Sequence, residues 1–509
     1  ALDVEGKPNS ILMERFFQDA QRSGTRVGSG DVGVGIEEVN LDTLYHSLFL
    51  KPRAIAVGYV TDEEGDVRIM ATINRDPQGY VKDDVEFAYM PKGGENFAEL
   101  LPDLELEDFN VVGVDSAKNI AYALGEADGF TSLYSVALDG TGKTTVLLSQ
   151  PGYDIDNVVR IGRKQRVVGA TFATDRRHYE FFDPDFKKLV NGLSKALPGK
   201  PQVEVVDAST DEKRLLVMAH SDVNPGMMYL FDRATGQLSE IAPVRGELEK
   251  LQLSPMTLVR YTARDGTEIP AYLTLPPGSD KKGLPTIVMP HGGPEARDEW
   301  GFDWLAQYFA QRGYAVLQPN YRGSAGYGSA WEMDNGFQSW RTAIADVIDA
   351  GHWLVKEGIA SEDKLAIFGW SYGGYAALQS AVIEPDLFKA VVAVAPVTDL
   401  GQLRDDARNY TSYPKISEFL GHGNEIIDEG SPARRAERIT APVMLVHGEY
   451  DEQASFKQSV IMADALKDAG KEARFLRFPV LDHSLRDSPA RAQMLRETDE
   501  FLRESLGIK

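Results

Sequence analysis

From residue 256 onward, the sequence alternates short apolar runs with longer segments whose apolar residues recur at helical spacing. The short runs predict strands at 286–290, 315–320, 364–369, 390–396, 443–448 and 474–479, after a β-hairpin over 258–276. The longer segments predict helices at 304–312, 340–357, 375–384, 456–469 and 489–506. This alternation favours an α/β domain over residues 251–509, in which a doubly wound, mostly parallel sheet carries helices on both faces. Functional side chains are then expected at the carboxyl ends of its strands.

Residues 37–250 have a different pattern, in which short strands are separated by turns. The sequence VVGVD ends at Asp115 and the similar VEVVD ends at Asp207, which lies 92 positions later, or twice 46. Four strands in roughly 45 residues is the period of a β-propeller blade, although a β-sandwich also gives regular short strands. We therefore predict an all-β, propeller-like domain of four to five blades over residues 37–250.

Four to five blades is at the low end for a propeller, so we expect N-terminal blades to be missing from this chain. Residues 1–36 are polar and rich in glycine. They contain one candidate amphipathic helix at 11–21, and we leave the segment unassigned.

Two glycine-rich motifs resemble phosphate-binding loops but lack the neighbours that such loops require. The sequence GSGDVG at 28–33 has no predicted strand before it and no helix after it, so we predict a flexible glycine-rich segment. The sequence ALDGTGKT at 137–144 precedes a predicted strand rather than a helix, so its Asp-Gly pair is predicted to form a hairpin turn. We predict no metal and no organic cofactor.

The composition argues against several classes of protein. Because the chain has no cysteine, disulfide frameworks, thiolate metal sites and a cysteine nucleophile are excluded. A net charge of -23 argues against nucleic-acid binding. The longest apolar run, near 390–397, is far shorter than the ~20 residues of a membrane span, so no membrane association is predicted. Since residue 1 is Ala and no leader pattern follows, we expect a processed chain or a fragment. Cytoplasmic and periplasmic locations and a homo-oligomer all stay open.

The predicted strand at 364–369 runs directly into Gly369-Trp370-Ser371-Tyr372-Gly373, a G-x-S-x-G motif that a predicted helix follows. This strand–turn–helix context is the one in which an α/β hydrolase displays its serine. The small residues at 369 and 373 allow a turn sharp enough to lift Ser371 Oγ above the sheet. Ser371 is therefore predicted to be a nucleophile, and the alternative is a buried structural serine.

A serine hydroxyl needs a general base, and in this fold an acid and then a histidine follow the serine along the chain. Asp451 comes after the predicted strand at 443–448, and His483 comes after the last predicted strand. We predict a triad of Ser371, Asp451 and His483, in which His483 moves the proton and Asp451 fixes its tautomer. The alternative for His483 is an ordinary surface-loop histidine.

Alternatives also exist for the acid and for the other two histidines beyond the nucleophile. Asp451 could cap the following helix, in which case Glu449 or Glu452 would be the acid. His447 is expected to pack or bond within its own loop. His422 lies in a glycine-rich insertion and is expected to be exposed.

The tetrahedral intermediate of acyl transfer needs an oxyanion hole, which usually consists of two backbone N–H groups. The N–H of Tyr372, the residue after the nucleophile, is predicted to be one of them. The loop HGGP at 291–294 follows an early strand, and its paired glycines let the backbone turn a second amide inward. The alternative is a simple Gly-Pro turn.

Together these motifs resemble the prolyl oligopeptidase family of serine peptidases, most closely its bacterial acylaminoacyl-peptidase and dipeptidyl-peptidase-like branch. The motifs are HGGP (291–294), NYRGSAGYG (320–328), GWSYGGY (369–375), HGEYD (447–451) and LDH (481–483). The resemblance is strong over 256–509 and only architectural over 37–250. It implies a propeller that caps the α/β-hydrolase site and admits only short or unfolded peptides.

The resemblance also implies residue roles. Ser371, Asp451 and His483 would form the triad, and Gly293 and Tyr372 would supply the oxyanion N–H groups. The insertion at 398–429 would line the substrate pocket. Its implied pocket residues are Leu400, Leu403, Tyr410 and Tyr413, with Ala454 in the pocket wall.

The expected function is hydrolysis of short peptides through an acyl-enzyme, by acylaminoacyl-, dipeptidyl- or oligopeptidase activity. The family's acid motif usually continues with an apolar residue and Pro, whereas Glu-Gln-Ala-Ser follows Asp451 here, which changes the expected wall near Ala454. No paired-Glu motif for a peptide N-terminus can be placed, so exo- and endopeptidase and isopeptidase activities stay open. The rival functions are a carboxylesterase on the same fold and a catalytically silent binding propeller.

Overall fold

The computed structural model describes most of the chain, namely residues 4, 6, 7, 9–18, 32–76, 80, 81, 85–280, 282–333, 337–408, 410, 411, 413–421 and 423–508. The chain forms two compact units. The first unit comprises residues 1–220 and 226–246, and the second comprises residues 221–225 and 247–509. None of the described helices combines the length and the apolar character that a membrane crossing requires.

In its described residues, the first unit contains five sheets, each made of three or four strands that are consecutive in the chain. The first two sheets contain β1 (Ser10–Phe17), β2 (Gly33–Asn40) and β3 (His46–Arg53), then β4 (Ala56–Thr61), β5 (Val67–Thr72), β6 (Glu86–Tyr89) and β7 (Ala98–Glu99). The third contains β8 (Glu107–Asp115), β9 (Ile120–Ala127), β10 (Phe130–Ala137) and β11 (Thr144–Leu148). The last two contain β12 (Ile155–Ile161), β13 (Arg166–Ala173) and β14 (Arg177–Phe181), then β15 (Gln202–Ala208), β16 (Arg214–Ser221), β17 (Asn224–Asp232) and β18 (Gln237–Pro243).

The repeat seen in the sequence corresponds to these sheets. Asp115 and Asp207 lie at the ends of β8 and β15, which are the first strands of the third and fifth sheets. The motif at 137–144 forms the predicted hairpin, because β10 and β11 pair antiparallel on either side of it. Sheets of this size from consecutive strands are typical of propeller blades.

The fourth sheet is where the repeat is weakest, because a helix replaces a strand there. Helix α1 (Pro184–Ala196) follows β14 and begins with Asp183, whose side chain accepts hydrogen bonds from two backbone amides of its first turn. Phe186, Val190 and Leu193 are buried on one face of α1. The Lys/Leu-rich run that follows β14 is therefore amphipathic at helical spacing rather than at strand spacing.

The helix expected at 11–21 is wrong where the structure describes it. Residues 10–17 form β1, which pairs antiparallel with β2 along its whole length. Leu12 and Ile36 pack in one small core between these strands. Sheet pairing and burial here outweigh the helical spacing of the apolar residues. Residues 28–31 of the motif at 28–33 lie outside the described residues.

The second unit is organised around one eight-stranded sheet. Its strands are β19 (Met256–Thr262), β20 (Glu268–Thr274), β21 (Leu284–Val288), β22 (Ala315–Pro319), β23 (Ala360–Trp370), β24 (Ala390–Val394), β25 (Val443–Gly448) and β26 (Arg474–Phe478). They lie in the order β19-β20-β22-β21-β23-β24-β25-β26. Strands β19 and β20 form the predicted antiparallel hairpin. The six strands β21 to β26 pair with one another in parallel. The predicted mostly parallel sheet is therefore confirmed.

The helices of the second unit connect these strands. They are α2 (Trp304–Gln311), α3 (Ser329–Met333), α4 (Trp340–Lys356), α5 (Tyr372–Ile383), α6 (Leu400–Ala407), α7 (Tyr413–Leu420), α8 (Asn424–Glu429), α9 (Lys457–Asp468) and α10 (Ser488–Ser505). All five predicted helices are present, as α2, α4, α5, α9 and α10. Helices α3, α6, α7 and α8 were not predicted, and the last three of them lie in the insertion at 398–429.

Successive residues of the central strands alternate between two hydrophobic cores. Val288 and Val391 join the core that is covered by α4, α5 and α9. Their neighbours Ile287 and Val392 join the core that is covered by α2 and α10. A parallel strand buried on both faces needs apolar residues at every position, which explains the continuous apolar runs of the sequence.

Candidate active site

Ser371 lies in the turn between β23 and α5, with φ 59° and ψ -121°. This combination of φ and ψ lies outside the regions that residues with a side chain adopt readily, so the surroundings must enforce it. Two glycines make the turn sterically feasible, because a Cβ at Gly369 would overlap Gly373 O and a Cβ at Gly373 would overlap Pro290 O. The Ser371 N–H donates to Val394 O at 2.8 Å, which ties the turn to β24. The side chain of Ser371 is therefore presented at the carboxyl end of the sheet.

Asp451 and His483 lie on the loops after β25 and β26, which are neighbouring parallel strands. The loops approach closely at Gly448, where any Cβ would overlap Leu481 O. The Tyr450 N–H also donates to Leu481 O at 3.0 Å. These contacts place His483 Nδ1 2.6 Å from Asp451 Oδ2.

The loop of His483 is also bonded to the nucleophile turn. Trp370 Nε1 donates to His483 O at 3.0 Å, and Trp370 directly precedes Ser371. Among the hydrogen bonds between described residues, none joins Ser371 Oγ to His483. Such catalytic hydrogen bonds often form only when substrate is bound. The three predicted triad residues thus lie on adjoining loops, with the acid–histidine contact already made.

The carboxylate of Asp451 is fixed from several sides, and its side chain is fully buried. Its Oδ1 accepts hydrogen bonds from the backbone amides of Gln453 and Ala454. It does not cap α9, which begins at Lys457 and is preceded by Phe456. The other acids considered for the triad, Glu449 and Glu452, are exposed.

His447 bonds within its loop, as predicted, and one of its partners is the predicted triad acid. The imidazole is completely buried, and its Nε2 lies 3.0 Å from Asp451 Oδ2 and 2.9 Å from Ala454 O. Because both partners are acceptors, Nε2 carries the proton and donates to them. Nδ1 lies 2.7 Å from Ser459 Oγ. The contact between His447 and the acid was not predicted from the sequence, although the four-residue spacing in HGEYD was the available signal.

These donors keep Asp451 ionised. Burial acts to raise the pKa of Asp451, but hydrogen bonds from His447, His483 and the Ala454 amide outweigh it and hold the pKa well below its usual range. An ionised Asp451 accepts hydrogen bonds only, so His483 Nδ1 carries the proton of the 2.6 Å hydrogen bond. In a neutral His483, Nε2 is then the unprotonated nitrogen, as a general base requires.

The loop HGGP lies directly against the nucleophile turn. A Cβ at Gly292 would lie 3.1 Å from Trp370 O and 3.4 Å from Ser371 Cβ, so only glycine fits there without displacing the turn. Gly293 has a φ of 122°, which is also a conformation that glycine adopts readily. Tyr372 begins α5, so the positive end of the helix dipole faces the same turn. Both predicted oxyanion donors therefore lie on backbone segments that adjoin Ser371.

His291, the first residue of the HGGP loop, contacts the NYRGS segment. Its ring stacks on Tyr321 with centroids 4.4 Å apart, and its Nε2 lies 2.7 Å from Ser324 Oγ. The Tyr321 hydroxyl donates to His291 O at 2.7 Å. Burial lowers the pKa of His291 to about 4, so its ring is neutral near pH 7. The NYRGS segment thus holds the loop in place through neutral hydrogen bonds and stacking.

The residues implied for the substrate pocket are only partly gathered in one place. Leu403 and Tyr410 line a cavity of about 490 Å³ that also borders the 451–455 loop. Leu400 is completely buried at the start of α6, Ala454 is buried, and Tyr413 is half-buried at the start of α7. His422 lies outside the described residues.

One acidic cluster in the described part of the first unit has the spacing of metal ligands. Asp62, Glu64 and Asp66 bring one carboxylate oxygen each within 4.8 Å of one another. Asp62 is already engaged, since its Oδ1 accepts from the amides of Glu64 and Asp66 and its Oδ2 pairs with Arg68 at 3.3 Å. The cluster is therefore explained as a turn that hydrogen bonds and an ion pair stabilise.

Comparisons of sequence point to one family. The sequence model of the prolyl oligopeptidase family matches residues 300–509. The chain is 26% identical to dipeptidyl aminopeptidase BIII of Pseudoxanthomonas mexicana over 519 residues, which cover 98% of this chain and 72% of that protein. It is 28% identical to the human acylamino-acid-releasing enzyme over 246 residues, which cover 46% of this chain and 34% of that enzyme. The alignments thus span different shares of the relatives' lengths.

Comparisons of structure agree over both units. A puromycin-hydrolyzing peptidase of Mycobacterium tuberculosis matches with a TM-score of 0.75 at 22% identity, covering 99% of this chain and 78% of its own. Acylaminoacyl peptidase of Pyrococcus horikoshii matches with a TM-score of 0.72 at 20% identity, covering 98% of this chain and 80% of its own. At this identity the matches establish the fold, which is a β-propeller domain followed by an α/β hydrolase. The sequence comparisons add that residues 300–509 match the prolyl oligopeptidase family of serine peptidases.

Proposed function

We propose that this chain hydrolyses short peptides with Ser371 as nucleophile, His483 as general base and acid, and Asp451 as the orienting carboxylate. The 2.6 Å hydrogen bond between His483 Nδ1 and a buried, ionised Asp451 carries the proposal. It is supported by the turn that presents Ser371 beside the bonded Trp370–His483 pair. We further propose 37–250 as the propeller domain, with β1 and the start of β2 completing its first sheet, and 251–509 as the catalytic domain.

In the proposed reaction, Ser371 Oγ attacks the peptide carbonyl while His483 Nε2 takes the hydroxyl proton. The N–H groups of Tyr372 and Gly293 stabilise the oxyanion that forms. His483 then gives the proton to the leaving amine as the C–N bond breaks, which leaves an acyl-enzyme on Ser371. Water attacks this ester with His483 again as base, and the acid product leaves as Ser371 regains its proton.

The proposed substrate class is supported by the relatives, which include a dipeptidyl aminopeptidase and an acylamino-acid-releasing enzyme. We propose short peptides with either a free or an acylated N-terminus as substrates. A homo-oligomer is proposed as a separate point, and light scattering of the purified chain tests it.

A fluorophosphonate probe tests the triad. The wild-type chain should be labelled, and Ser371→Ala should abolish both labelling and turnover. His483→Ala and Asp451→Asn should keep the serine but lower kcat by about 10⁴-fold. Labelling that persists in Ser371→Ala would show that another residue is the nucleophile.

A substrate panel separates the peptidase from an esterase on the same fold. Acyl-amino-acid amides, dipeptidyl amides and simple esters should be compared by kcat/KM. We expect cleavage of the amides. Turnover of esters alone, at every peptide length, would overturn the peptide-hydrolysing proposal.

A further inference from the structure

The cavity beside the acid loop has walls of two kinds. Helices α6 and α7 contribute apolar side chains, including Leu403 and Ile416. The opposite wall is the 451–455 loop, which contributes polar groups and begins with the proposed triad acid. Its volume of about 490 Å³ is large enough for a peptide side chain or a peptide terminus.

Two carboxylates besides the triad acid belong to this lining, those of Asp406 and Glu452. Asp406 is half-buried on α6, whereas Glu452 is exposed on the loop. Among the lining residues that the structure describes, there is no Lys, Arg or His. The cavity therefore has a negative charge that its own described walls do not balance.

The carboxylate of Asp406 is held in a fixed orientation by neutral donors. Gln402 Nε2 donates to its Oδ1 and Ser455 Oγ donates to its Oδ2, both at 2.6 Å. The hydrogen bond to Ser455 ties α6 to the acid loop, four residues after Asp451. A carboxylate oxygen can accept more than one hydrogen bond, so Asp406 can still accept one from a further donor.

Two arginines close to α6 pair with other carboxylates, and Arg404 on the same helix does not line the cavity. Arg408 Nη2 lies 3.0 Å from Asp405, which faces away on the exposed side of α6. Arg434 pairs with Asp399 at 2.8 Å, at the start of the same helix. A half-buried carboxylate that lacks a cation has lost part of its hydration, and a cationic ligand would restore that stabilisation.

We propose that this cavity selects peptides that carry a positive charge close to the scissile bond, with Asp406 and Glu452 as its specificity-determining carboxylates. The inference rests on the proposed function, because it takes the 451–455 loop as part of the active site. The charge can come from a basic side chain or from a free α-ammonium group. Both sources present N–H donors to a carboxylate, and the substrates below distinguish them.

Four p-nitroanilides with the same leaving group test the proposal. Acetyl-Ala-norleucine is the neutral reference, and acetyl-Ala-lysine adds an ammonium group to the side chain at the scissile bond. Acetyl-Lys-norleucine moves that charge one residue away, and unblocked Ala-norleucine adds an α-ammonium group. At least one charged substrate should exceed the reference in kcat/KM by roughly tenfold, as expected for hydrogen bonds to a charged group. The substrate that does so identifies the source of the charge.

The double variant Asp406→Asn with Glu452→Gln should lower the ratio of charged to neutral kcat/KM by about tenfold. Asp405→Asn is the matched control, because it removes the same charge from the adjacent, exposed position and should leave the ratio unchanged. If the double variant fails to fold, Glu452→Gln alone and the wild type at rising salt replace it. Salt should reduce the preference, since it screens charges at a partly open site.

Loss of the preference in the double variant, together with an unchanged ratio in Asp405→Asn, supports the inference. Equal cleavage of charged and neutral substrates by the wild type overturns it, as does a preference that survives the double variant. In either case, turnover of the neutral reference with loss on Ser371→Ala leaves the proposed function standing. Absence of turnover on all four substrates, with no fluorophosphonate labelling, overturns the proposed function itself.

Discussion

The first unit assembles each sheet from strands that follow one another in the chain, whereas the second unit assembles one sheet from strands separated by helices. In the first unit, strands such as β18 are largely exposed, and each sheet contacts only a small core. In the second unit, the central strands are buried on both faces. The proposed chemistry lies on loops after three parallel strands of this buried sheet. The rigid sheet beside the nucleophile turn holds Ser371 in its strained combination of φ 59° and ψ -121°.

Matched glycine substitutions in the two units give the largest expected difference. Gly369→Ala should destabilise the second unit by about 3 kcal/mol or more and abolish turnover, because its Cβ would overlap Gly373 O. Gly192→Ala, in the exposed part of α1, meets no atom within 4 Å and should stabilise the first unit by about 0.5–1 kcal/mol. Urea unfolding and peptide turnover measure both effects. A fully stable and active Gly369→Ala would show that the turn does not depend on this glycine.

Matched histidine–carboxylate pairs give the next difference. His447 lies 3.0 Å from Asp451 in the second unit, and His220 lies 3.1 Å from Glu204 in the first. His447→Ala should lower kcat by roughly 10- to 100-fold with little change in KM, since Asp451 loses one charge-assisted hydrogen bond. His447→Gln keeps an N–H donor and should lose less.

His220→Ala should alter stability without altering kcat. Steady-state kinetics across pH separates positioning from a structural role. If His447→Ala kept the wild-type kcat and pH profile, His447 would have only a packing role.

The last expected effect appears only on acidification. Burial lowers the pKa of His291 from 6.5 to about 4 in the folded state. As pH falls below 6.5, the imidazole of His291 is protonated in the unfolded chain but not in the folded chain. The folded state therefore loses stability between pH 6.5 and about 4. The contribution is fully present above pH 6.5 and amounts to about 3 kcal/mol, at about 1.36 kcal/mol per pKa unit.

Urea unfolding of the wild type and His291→Gln at several pH values measures this effect. The variant should lose less stability on acidification, because Gln does not titrate. Identical losses in both proteins would show that His291 is solvated enough to titrate normally.

Much of the second unit could be predicted because its strands are continuous apolar runs and its long helices have a clear period. The turn around Ser371 was also predictable, since G-x-S-x-G follows a strand and precedes a helix. The first unit was harder to predict. Its strands are short and half-exposed, and residues 10–17 show a helical spacing although they form β1. Only pairing with β2, whose partner residues lie 16 to 30 positions away, decides that stretch.

The site divides in the same way. The order of Ser371, Asp451 and His483 and the paired glycines before Pro294 were readable as patterns, since each follows a predicted strand. The role of His447 was not readable, because a buried imidazole can donate to a carboxylate, to a carbonyl or to both. The two carboxylates of the cavity were missed for a similar reason: Asp406 and Glu452 are far apart in sequence, and no periodicity relates them.

The sequence by itself determined the class of chemistry, because a nucleophilic serine requires glycines that permit its turn and loops that follow parallel strands. It also determined the two architectures, through strand period in the first part and strand–helix alternation in the second. Only the tertiary structure decided which donors hold Asp451 and which carboxylates share a cavity. Those contacts join residues from separate loops and helices, and packing rather than local preference sets their distances.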